Sequence, residues 1–263
     1  MRWLLPLCVA FLAGCASKPM VLPDAKAPTL ATANDRDPIE SFNREMWKFN
    51  WDVLDPNVAR PVTVAYTKHV PTPVQTGLLN FAQNLSEPSS ALNQFLEFKF
   101  ARSGKTIGRF LLNTTFGLLG FIDVATMAGI DKEETKFGQV MGYYGVSSGP
   151  YLMLPVLGPS TPRDEVGGLV DYLYPPLAVL NFTEKAIRWG IEGIDTRAKL
   201  IPQEGLINQS VDPYAFIREA YFQKSYYDTY GQAMPQPADD FDLDQYLDED
   251  DSTEPPAPSK TKE

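Results

Sequence analysis

Apolar residues recur at helical spacing from the start of the main body of the chain, on more than one face of the predicted helix. Asp37, Pro38 and Glu40 supply a helix start: a cap, a proline at the first helical position and a capping-box acid. Two neighbouring apolar lines follow, formed by Ile39, Phe42, Met46, Phe49 and Val53 and by Trp47, Trp51 and Leu54. Asp55-Pro56 is expected to end this helix, because proline removes a backbone donor. A helix so apolar around its girth fits either a core or a lipid-facing surface.

Six further segments carry the helical period and are separated by proline, glycine or polar residues. They are residues 62–69, 73–85, 89–100, 104–114, 184–200 and 214–230. Residues 107–130 are long and apolar enough to suggest a membrane span, but they contain Arg109, Asn113 and Asp123. We therefore expect a helix there, then a glycine-containing turn and an apolar loop or second short helix. The chain is predicted to be mainly α-helical.

The character of the sequence changes between residues 137 and 158. Five glycines lie there, with aromatic or β-branched residues between them: Gly138, Gly142, Gly145, Gly149 and Gly158. Tyr143, Tyr144 and Val146, followed by residues 151–156, predict short extended segments that form a β-hairpin about residues 147–149. This is the one region where we expect regular structure other than helix.

Residues 1–14 have the layout of a secretory signal peptide, with Arg2 as the positive start followed by an apolar run and small residues. The run LAGC at 12–15 matches the bacterial lipobox, so we expect Cys15 to be lipidated and to tether the chain to a bilayer. The alternative is a secretory start followed by an incidental cysteine. Ala16, where inner-membrane lipoproteins tend to carry aspartate, favours the outer membrane.

The remainder of the chain divides into three parts. Residues 15–36, which begin with the lipidated cysteine, are polar and proline-bearing and predict a flexible tether. Residues 37–232 form the predicted helical domain. Residues 233–263 are dominated by proline and acidic residues and are predicted to be disordered.

The charge of the chain is concentrated in its tail. The formal net charge is -10, yet the residues from Asp239 to the end carry ten acids against Lys260 and Lys262. The rest of the mature chain is therefore nearly neutral, which argues against a nucleic-acid partner. Cys8 leaves with the signal peptide and Cys15 is capped by lipid, so no thiol remains for a disulfide, a metal or nucleophilic attack.

Patterns typical of catalysis are present only in part. The run GVSSG at 145–149 matches the G-x-S-x-G nucleophile pattern, but Ser147 would need a histidine and His69, the only one, lies upstream. A glycine-serine turn is the simpler interpretation. The run SGKT at 103–106 resembles the end of a phosphate-binding loop, yet Lys99 stands where that pattern needs glycine. We predict no catalytic residue, no metal site and no cofactor, and hence no enzyme.

Charged residues within apolar surroundings have two interpretations each. Glu184, Arg188 and Glu192 form either a solvent-facing ladder of ion pairs or a polar path in which Arg188 meets lipid phosphate. Asp171 is either a helix-end cap or a charge that faces water inside a membrane-embedded ring. We therefore predict Asp171 and Arg188 as candidate channel-lining residues. The candidate membrane-facing residues, with core packing as the alternative, are Phe42, Met46, Phe49 and Val53.

Ten short runs resemble the MlaA (VacJ) lipoprotein family and occur in the family's order. They are DPIESFNR at 37–44, FN at 49–50, LDP at 54–56, FLLNT at 110–114, GLLGFIDVA at 117–125, GPYL at 149–152 with LP at 154–155, GPS at 158–160, RD at 163–164, DPY at 212–214 and REAY at 218–221. The resemblance extends from about residue 37 to residue 221, and the acidic tail lies outside it.

The resemblance implies a mostly helical, ring-like domain in the inner leaflet of the outer membrane, with a water-accessible channel through it. Members of the family associate with trimeric porins and pass mislocalised phospholipids from the outer leaflet to a periplasmic carrier, MlaC, which maintains lipid asymmetry. The alternative of another class is a structural lipoprotein of porins or the envelope without transport activity. A lipid hydrolase that uses Ser147 is a third, less favoured hypothesis.

Overall fold

The computed structural model describes residues 36–234, so the signal peptide, Cys15, most of the tether and the bulk of the predicted tail lie outside the described residues. Within them the prediction of a mainly α-helical chain is confirmed. The helices are α1 (Glu40–Lys48), α2 (Arg60–His69), α3 (Thr72–Asn84), α4 (Glu87–Leu96), α5 (Phe100–Phe116), α6 (Val124–Met127), α7 (Phe137–Tyr143), α8 (Pro162–Asp171), α9 (Phe182–Leu200), α10 (Glu204–Gln209) and α11 (Pro213–Tyr230). The remaining elements are a π-helical segment Phe49–Ala59, 3₁₀ turns Leu177–Val179 and Ile201–Gln203, and strands β1 (Leu152–Leu154) and β2 (Gly158–Ser160).

The first helical path does not end at Pro56, contrary to the prediction. Helix α1 passes directly into the π-helical segment, which contains Pro56, and that segment passes directly into α2. In an α-helix the proline ring clashes with the carbonyl four residues back. The wider π-helical turn, with its i to i+5 spacing, moves that carbonyl away and lets the chain continue.

Asp37 was predicted to cap the first helix, and this prediction is wrong. Its side chain lies at the centre of a buried polar cluster instead. No side chain caps α1. The Asp37 carboxylate instead accepts hydrogen bonds from Asn43 Nδ2 at 2.7 Å and from the Arg218 guanidinium at 3.0 Å. Asn43 in turn accepts a hydrogen bond from the backbone N–H of Met153 at 2.9 Å. The start of the domain is therefore tied to both α11 and β1.

The β-hairpin exists, but it lies later in the chain than predicted. Strands β1 and β2 pair antiparallel around a turn at residues 155–157, not around residues 147–149. Tyr143, expected in an extended segment, belongs to helix α7. Gly138 and Gly142 were interpreted as part of a glycine-rich extended region, but both lie in α7 where it packs closely on α8. A Cβ at either position would lie within 3 Å of side chains of α8. They signal close helix contact and not turns.

The helices contact one another in a closed circuit. Helix α3 packs on α5, α5 on α4, α4 on α7, α7 on α11 and α11 on α10; the turn Ile201–Gln203 then leads back through α9 to α3. This circuit has the connectivity of the predicted ring. Within residues 36–234 no helix combines the length and apolarity that crossing a membrane requires.

Polar side chains outnumber apolar ones among the buried residues of the domain, which is the reverse of the usual distribution in a water-soluble protein. Among residues 36–234 the buried side chains comprise 21 polar or charged ones and only 11 apolar ones. Many large apolar side chains are exposed in the same region, including Phe116, Met127 and Phe182. Charged side chains are rarely buried unless they are paired, so the interior of this domain must supply partners for them. A compact apolar cluster packs where α1, β1 and α11 meet, and comprises Tyr151, Met153, Tyr214 and Phe222.

Candidate functional site

Three of the four candidate membrane-facing residues lie on the outside of the domain. Phe42, Phe49 and Val53 are between 40% and 54% exposed. Met46 is different: it packs against the apolar cluster of Tyr151, Met153, Tyr214 and Phe222. Met46 follows the buried Asn43 by three residues, so the helical turn places both on the same side of α1, which faces the domain interior.

The exposed apolar surface is also held outward by strained backbone. In the part of the chain that the structure describes, four residues other than glycine have positive φ, and each carries an exposed, large apolar side chain: Phe98, Leu118, Leu119 and Val156. Such φ values are unfavourable for bulky side chains and persist only where surrounding contacts enforce them. The corner between α4 and α5, the loop after α5 and the hairpin turn therefore present apolar groups to the medium around the domain.

The interior is organised around Arg109 of α5, which is 2% exposed. Its Nε lies 3.2 Å from Oε1 of Glu87, and one of its terminal nitrogens lies 2.9 Å from Oδ2 of Asp123. Thr126 accepts a further hydrogen bond from the guanidinium at 3.0 Å. Asn113 donates to Asp123 at 2.9 Å. This network holds the loop between α5 and α6 against α4.

Burial and pairing act in opposite directions on the two acids of this network. Burial raises the pKa of Glu87, and Arg109 only partly offsets it. Burial alone would also raise the pKa of Asp123, but hydrogen bonds from Thr126, Arg109 and Asn113 outweigh it and lower that pKa to about 2. Asp123 is therefore the ionised partner of Arg109 over the whole physiological pH range.

A non-helical segment, residues 131–136, runs beside α4, and we call it the strap; Thr135 is its buried residue. Polar side chains of α4 bind its backbone. Gln94 Nε2 donates to the carbonyl of Glu133 at 2.7 Å, and Asn93 Nδ2 donates to the carbonyl of Thr135 at 2.9 Å. Ser90 Oγ accepts from the N–H of Thr135 at 2.7 Å. The buried polar face of α4 thus serves to fix the strap in place.

The side chains of the strap alternate in direction, as they do in extended chains. Glu133 points away and pairs with Arg102 of α5 at 3.0 Å. Lys132 and Glu134 instead line a small polar recess, together with Gln83, Ser86, Glu87 and Ser90. Every residue that lines this recess is polar or charged.

Arg188 of α9 faces the same interior, so it is not part of a solvent-facing ladder. It donates to a backbone carbonyl of α3 at 3.0 Å, to Ser86 Oγ at 2.5 Å and to Glu192 at 2.7 Å. Glu184, the third member of the predicted ladder, is exposed and closes a capping box at the start of α9. The structure therefore brings Arg188 to Ser86, one of the residues that line the recess, and leaves Glu184 on the surface.

The Glu134 side chain lies among several cations and is still accessible to water. Its side chain retains 40% of its accessible surface, yet burial is the largest influence on its pKa. Nearby Lys132, Lys136 and Arg188 outweigh that influence and lower the pKa. Burial likewise raises the pKa of Glu192, Arg188 opposes that shift, and the charge of Glu134 adds to it.

Asp171 ends α8 and holds two other helices. Its Oδ1 accepts from Asn93 of α4 at 2.7 Å, and its Oδ2 accepts from the N–H of Phe137, the first residue of α7, at 3.0 Å. Burial raises its pKa, and both hydrogen bonds oppose the shift. These contacts agree with the interpretation of Asp171 as a helix cap. The helix whose N-terminus it caps is α7, although Asp171 itself belongs to α8. Asn93 also binds the strap, so Asp171 positions one of its supports.

The residues of the partial catalytic patterns are engaged with local backbone. The Ser147 hydroxyl accepts from the N–H of Gly149 at 3.3 Å. His69 Nδ1 lies 2.8 Å from the carbonyl oxygen of Ala65 at the end of α2. Within residues 36–234 no group of three or more His, Cys, Asp or Glu side chains is arranged to hold a metal ion.

Sequence reasoning missed the strap altogether. Lys132, Glu134 and Lys136 have no apolar period around them, so they resemble an ordinary charged loop. The available signal was the alternation of charge at every second position directly after an apolar stretch, which is an extended pattern and not a helical one.

A circuit of helices with buried ion pairs inside and large apolar side chains outside defines a class of helical protein built for apolar surroundings. The sequence profile of the MlaA lipoprotein family matches residues 35–228, and the chain belongs to that family.

Named relatives and one solved structure agree with this assignment. The chain is 47% identical over 191 residues to the intermembrane phospholipid transport system lipoprotein MlaA of Escherichia coli strain K12, covering 72% of this chain and 76% of the relative. It is 38% identical over 200 residues to the protein of the same name from Haemophilus influenzae, covering 74% and 80%. A structure from work on the structural basis for maintenance of bacterial outer membrane lipid asymmetry superposes with a TM-score of 0.71 at 47% identity, covering 73% of this chain and 98% of that one.

Proposed function

We propose that this chain is the outer-membrane lipoprotein component of a retrograde phospholipid transport system. It provides a channel that removes mislocalised phospholipids from the outer leaflet and passes them to a periplasmic carrier, which maintains the lipid asymmetry of the outer membrane. The names of its relatives support this function. The observation that carries it is the distribution of polarity in the domain, with charged and polar side chains buried and many large apolar side chains exposed.

The physical task is to move a charged headgroup past hydrocarbon, where an unpaired charge is costly. A polar path lowers that barrier because it replaces water around the headgroup while the acyl chains stay in apolar surroundings. Arg188 is the proposed phosphate contact on this path, and Asp171 keeps α4, α7 and α8 in register beside it. No bond is made or broken, so the protein acts without enzymatic chemistry.

Anchoring and partners complete the proposal. Cys15 carries the lipid anchor, and the domain lies in the periplasmic-side leaflet with Phe42, Phe49 and Val53 against acyl chains. A trimeric porin is the membrane partner, and a soluble carrier of the MlaC type receives the lipid in the periplasm.

The test is the amount of phospholipid in the outer leaflet of cells that lack this chain. We expect an excess, which expression of the wild-type chain removes. Arg188→Glu is expected to leave the excess in place. The control Lys199→Glu reverses a charge on the exposed side of the same helix and is expected to remove it. Ser147→Ala is likewise expected to restore asymmetry.

A deletion strain with no excess phospholipid in its outer leaflet would reject transport and favour the structural porin- or envelope-associated alternative. Full restoration by Arg188→Glu would remove Arg188 from the path while leaving transport itself intact.

A further inference from the structure

The end of α5 and the segment that follows it form an apolar projection, which we call the prong. It consists of five large side chains that are between 43% and 80% exposed: Phe116, Leu118, Leu119, Ile122 and Met127. Only two residues between 106 and 130 are charged; Arg109 is buried, and Asp123 is part-buried and bound to it. The nearest exposed charges along the chain are Lys105 and Asp131. The prong is therefore an apolar surface without an exposed charge of its own.

The backbone of the prong is strained at two successive leucines. Leu118 and Leu119 have φ values of 52° and 60°, in the left-handed region. Glycine and asparagine adopt this region more easily than leucine does, because the Cβ of a bulky residue crowds the following carbonyl oxygen. Both leucines are also more than 60% exposed, so they gain little from packing within the domain. Leucine at these two positions is therefore explained by a contact outside the domain.

The polar backbone groups of the prong have partners within the domain. The N–H groups of four successive residues donate to carbonyl oxygens between residues 113 and 118: Leu119, Gly120, Phe121 and Ile122. Two carbonyls accept hydrogen bonds from side chains of α3. Asn84 Nδ2 donates to the carbonyl of Leu119 at 3.3 Å, and Asn80 Nδ2 donates to that of Phe121 at 3.4 Å. A loop in water does not need these partners, whereas non-helical backbone at hydrocarbon depth does, because no water is present there to replace them.

We infer that the prong inserts into the hydrocarbon of the bilayer and that phospholipid acyl chains, and not another protein, surround it. Protein interfaces carry a polar rim and about one hydrogen bond per 100–200 Å². The prong offers no exposed charge for such a rim, and the four N–H groups of its loop are already bonded within the domain.

The prong lies deeper in the membrane than the apolar face of α1. That face includes Phe42, and the same helix carries the exposed ion pair of Glu45 and Lys48, which needs water or lipid headgroups nearby. The prong has no such pair. The inference rests on the proposed membrane location of the domain and specifies which part of it reaches furthest into the hydrocarbon.

The experiment uses the full-length lipidated chain in phospholipid vesicles without porin, with a fluorescent label on one introduced cysteine. The cysteine replaces Leu118 in the prong, Phe42 on α1, or Leu206 on α10, which is 62% exposed beside the ion-paired Glu204. The phospholipid carries a nitroxide quencher either near its headgroup or near the end of an acyl chain. We expect the deep nitroxide to quench the label at 118 about twofold more than the shallow one, because a leaflet is about 15 Å thick and quenching acts at short range. The order should be reversed at position 42, and neither nitroxide should quench the label at 206.

Leu119→Asn separates contact with lipid from a role in folding. Asparagine is similar in size to leucine, tolerates positive φ and is polar. The thermal midpoint in detergent should therefore be unchanged or higher, while the excess quenching of the label at 118 by the deep nitroxide is lost. Leu206→Asn makes the same exchange at an equally exposed leucine and should leave the quenching at 118 unchanged.

Stronger quenching at 118 by the shallow nitroxide, or unchanged quenching in Leu119→Asn, overturns the inference. So does a label that is quenched at 42 and not at 118, which leaves the membrane location standing and indicates that the prong contacts a protein such as the porin. Absence of quenching at both positions rejects the membrane location, and the inference with it. The comparison of positions 118, 42 and 206 keeps the inference testable if Leu119→Asn does not fold.

Discussion

Arg109 and Glu87 lie 3.2 Å apart, and neither side chain is more than 3% exposed. Asp123 contacts the same guanidinium, so three charges share the interior of the domain. Burying an ion is costly, and such a cluster is tolerated only while every member is paired. Because Glu87 also lines the recess, the network that stabilises the fold forms part of the wall of the proposed path.

Arg109→Leu is expected to be severely destabilising. It leaves the carboxylates of Glu87 and Asp123 without their cation, which costs about 3–5 kcal/mol for a buried pair. Arg102→Leu, on the same helix, breaks a half-exposed pair with Glu133 and should cost less than about 1 kcal/mol. Urea unfolding of both variants in detergent measures the difference. Similar losses for the two variants would show that burial does not govern the energy of these pairs.

Asp123 is expected to make stability depend on pH in the acid range. Its pKa is about 2 in the folded chain against an ordinary value of 3.8, so the unfolded chain binds its proton first as the pH falls. The stabilisation is therefore fully present above the ordinary pKa and is lost as the pH falls toward 2; a shift of nearly two pKa units corresponds to about 2 kcal/mol.

Comparison of Asp123→Asn with the wild-type chain measures this contribution. The difference in unfolding free energy should be large at pH 7 and small near the folded pKa of about 2. Asp131→Asn, at an exposed position, should show no such trend. A difference that grows as the pH falls would contradict the assignment.

The helices were largely predictable because their signals are local. The apolar period predicted a helix over residues 214–230, and α11 spans Pro213–Tyr230, with Asp212 capping it by accepting the N–H of Ala215 at 3.1 Å. Residues 107–130 were predicted to form a helix, a glycine-containing turn and a loop or second short helix, and α5 ends at Phe116 before the short helix α6. Apolar period, caps and prolines act within a few residues, so a single sequence displays them.

The interior was not predictable because its stabilisation comes from distant partners. Ser90, Asn93 and Gln94 look like an ordinary polar helix face, and only the strap, some forty residues later, makes them buried. Asp37 similarly acquires its meaning from Arg218, 181 residues away. Apolar stripes indicate faces that avoid water, but they do not distinguish a core from a surface that meets lipid, as Met46 shows.

Gly167 and Gly168 are neighbours on α8, and we expect only Gly167 to be required for the contact between α7 and α8. A Cβ at Gly167 would lie 2.2 Å from the backbone nitrogen of Gly138, and backbone does not move aside easily. Gly167→Ala should therefore cost at least 1–3 kcal/mol, the typical range for overpacking, and lower the thermal midpoint. At Gly168 nothing lies within 4 Å, so Gly168→Ala should be neutral or stabilise the helix by up to about 1 kcal/mol. Equal effects of the two substitutions would contradict the packing role.

The outward face of α1 is expected to meet hydrocarbon, which a reporter of local polarity measures directly. Phe42 is more than half exposed, so Phe42→Cys labelled with nitrobenzoxadiazole should fold normally and show blue-shifted emission in vesicles. Lys224→Cys, on the exposed side of α11, supplies the aqueous reference. Met46→Asp places a charge in the cluster around Tyr151 and should destabilise the domain, whereas Phe42→Asp should mainly weaken its contact with the bilayer. If the label at position 42 emits as it does at position 224, the apolar exterior does not lie in the membrane, and the inverted distribution of polarity needs another explanation.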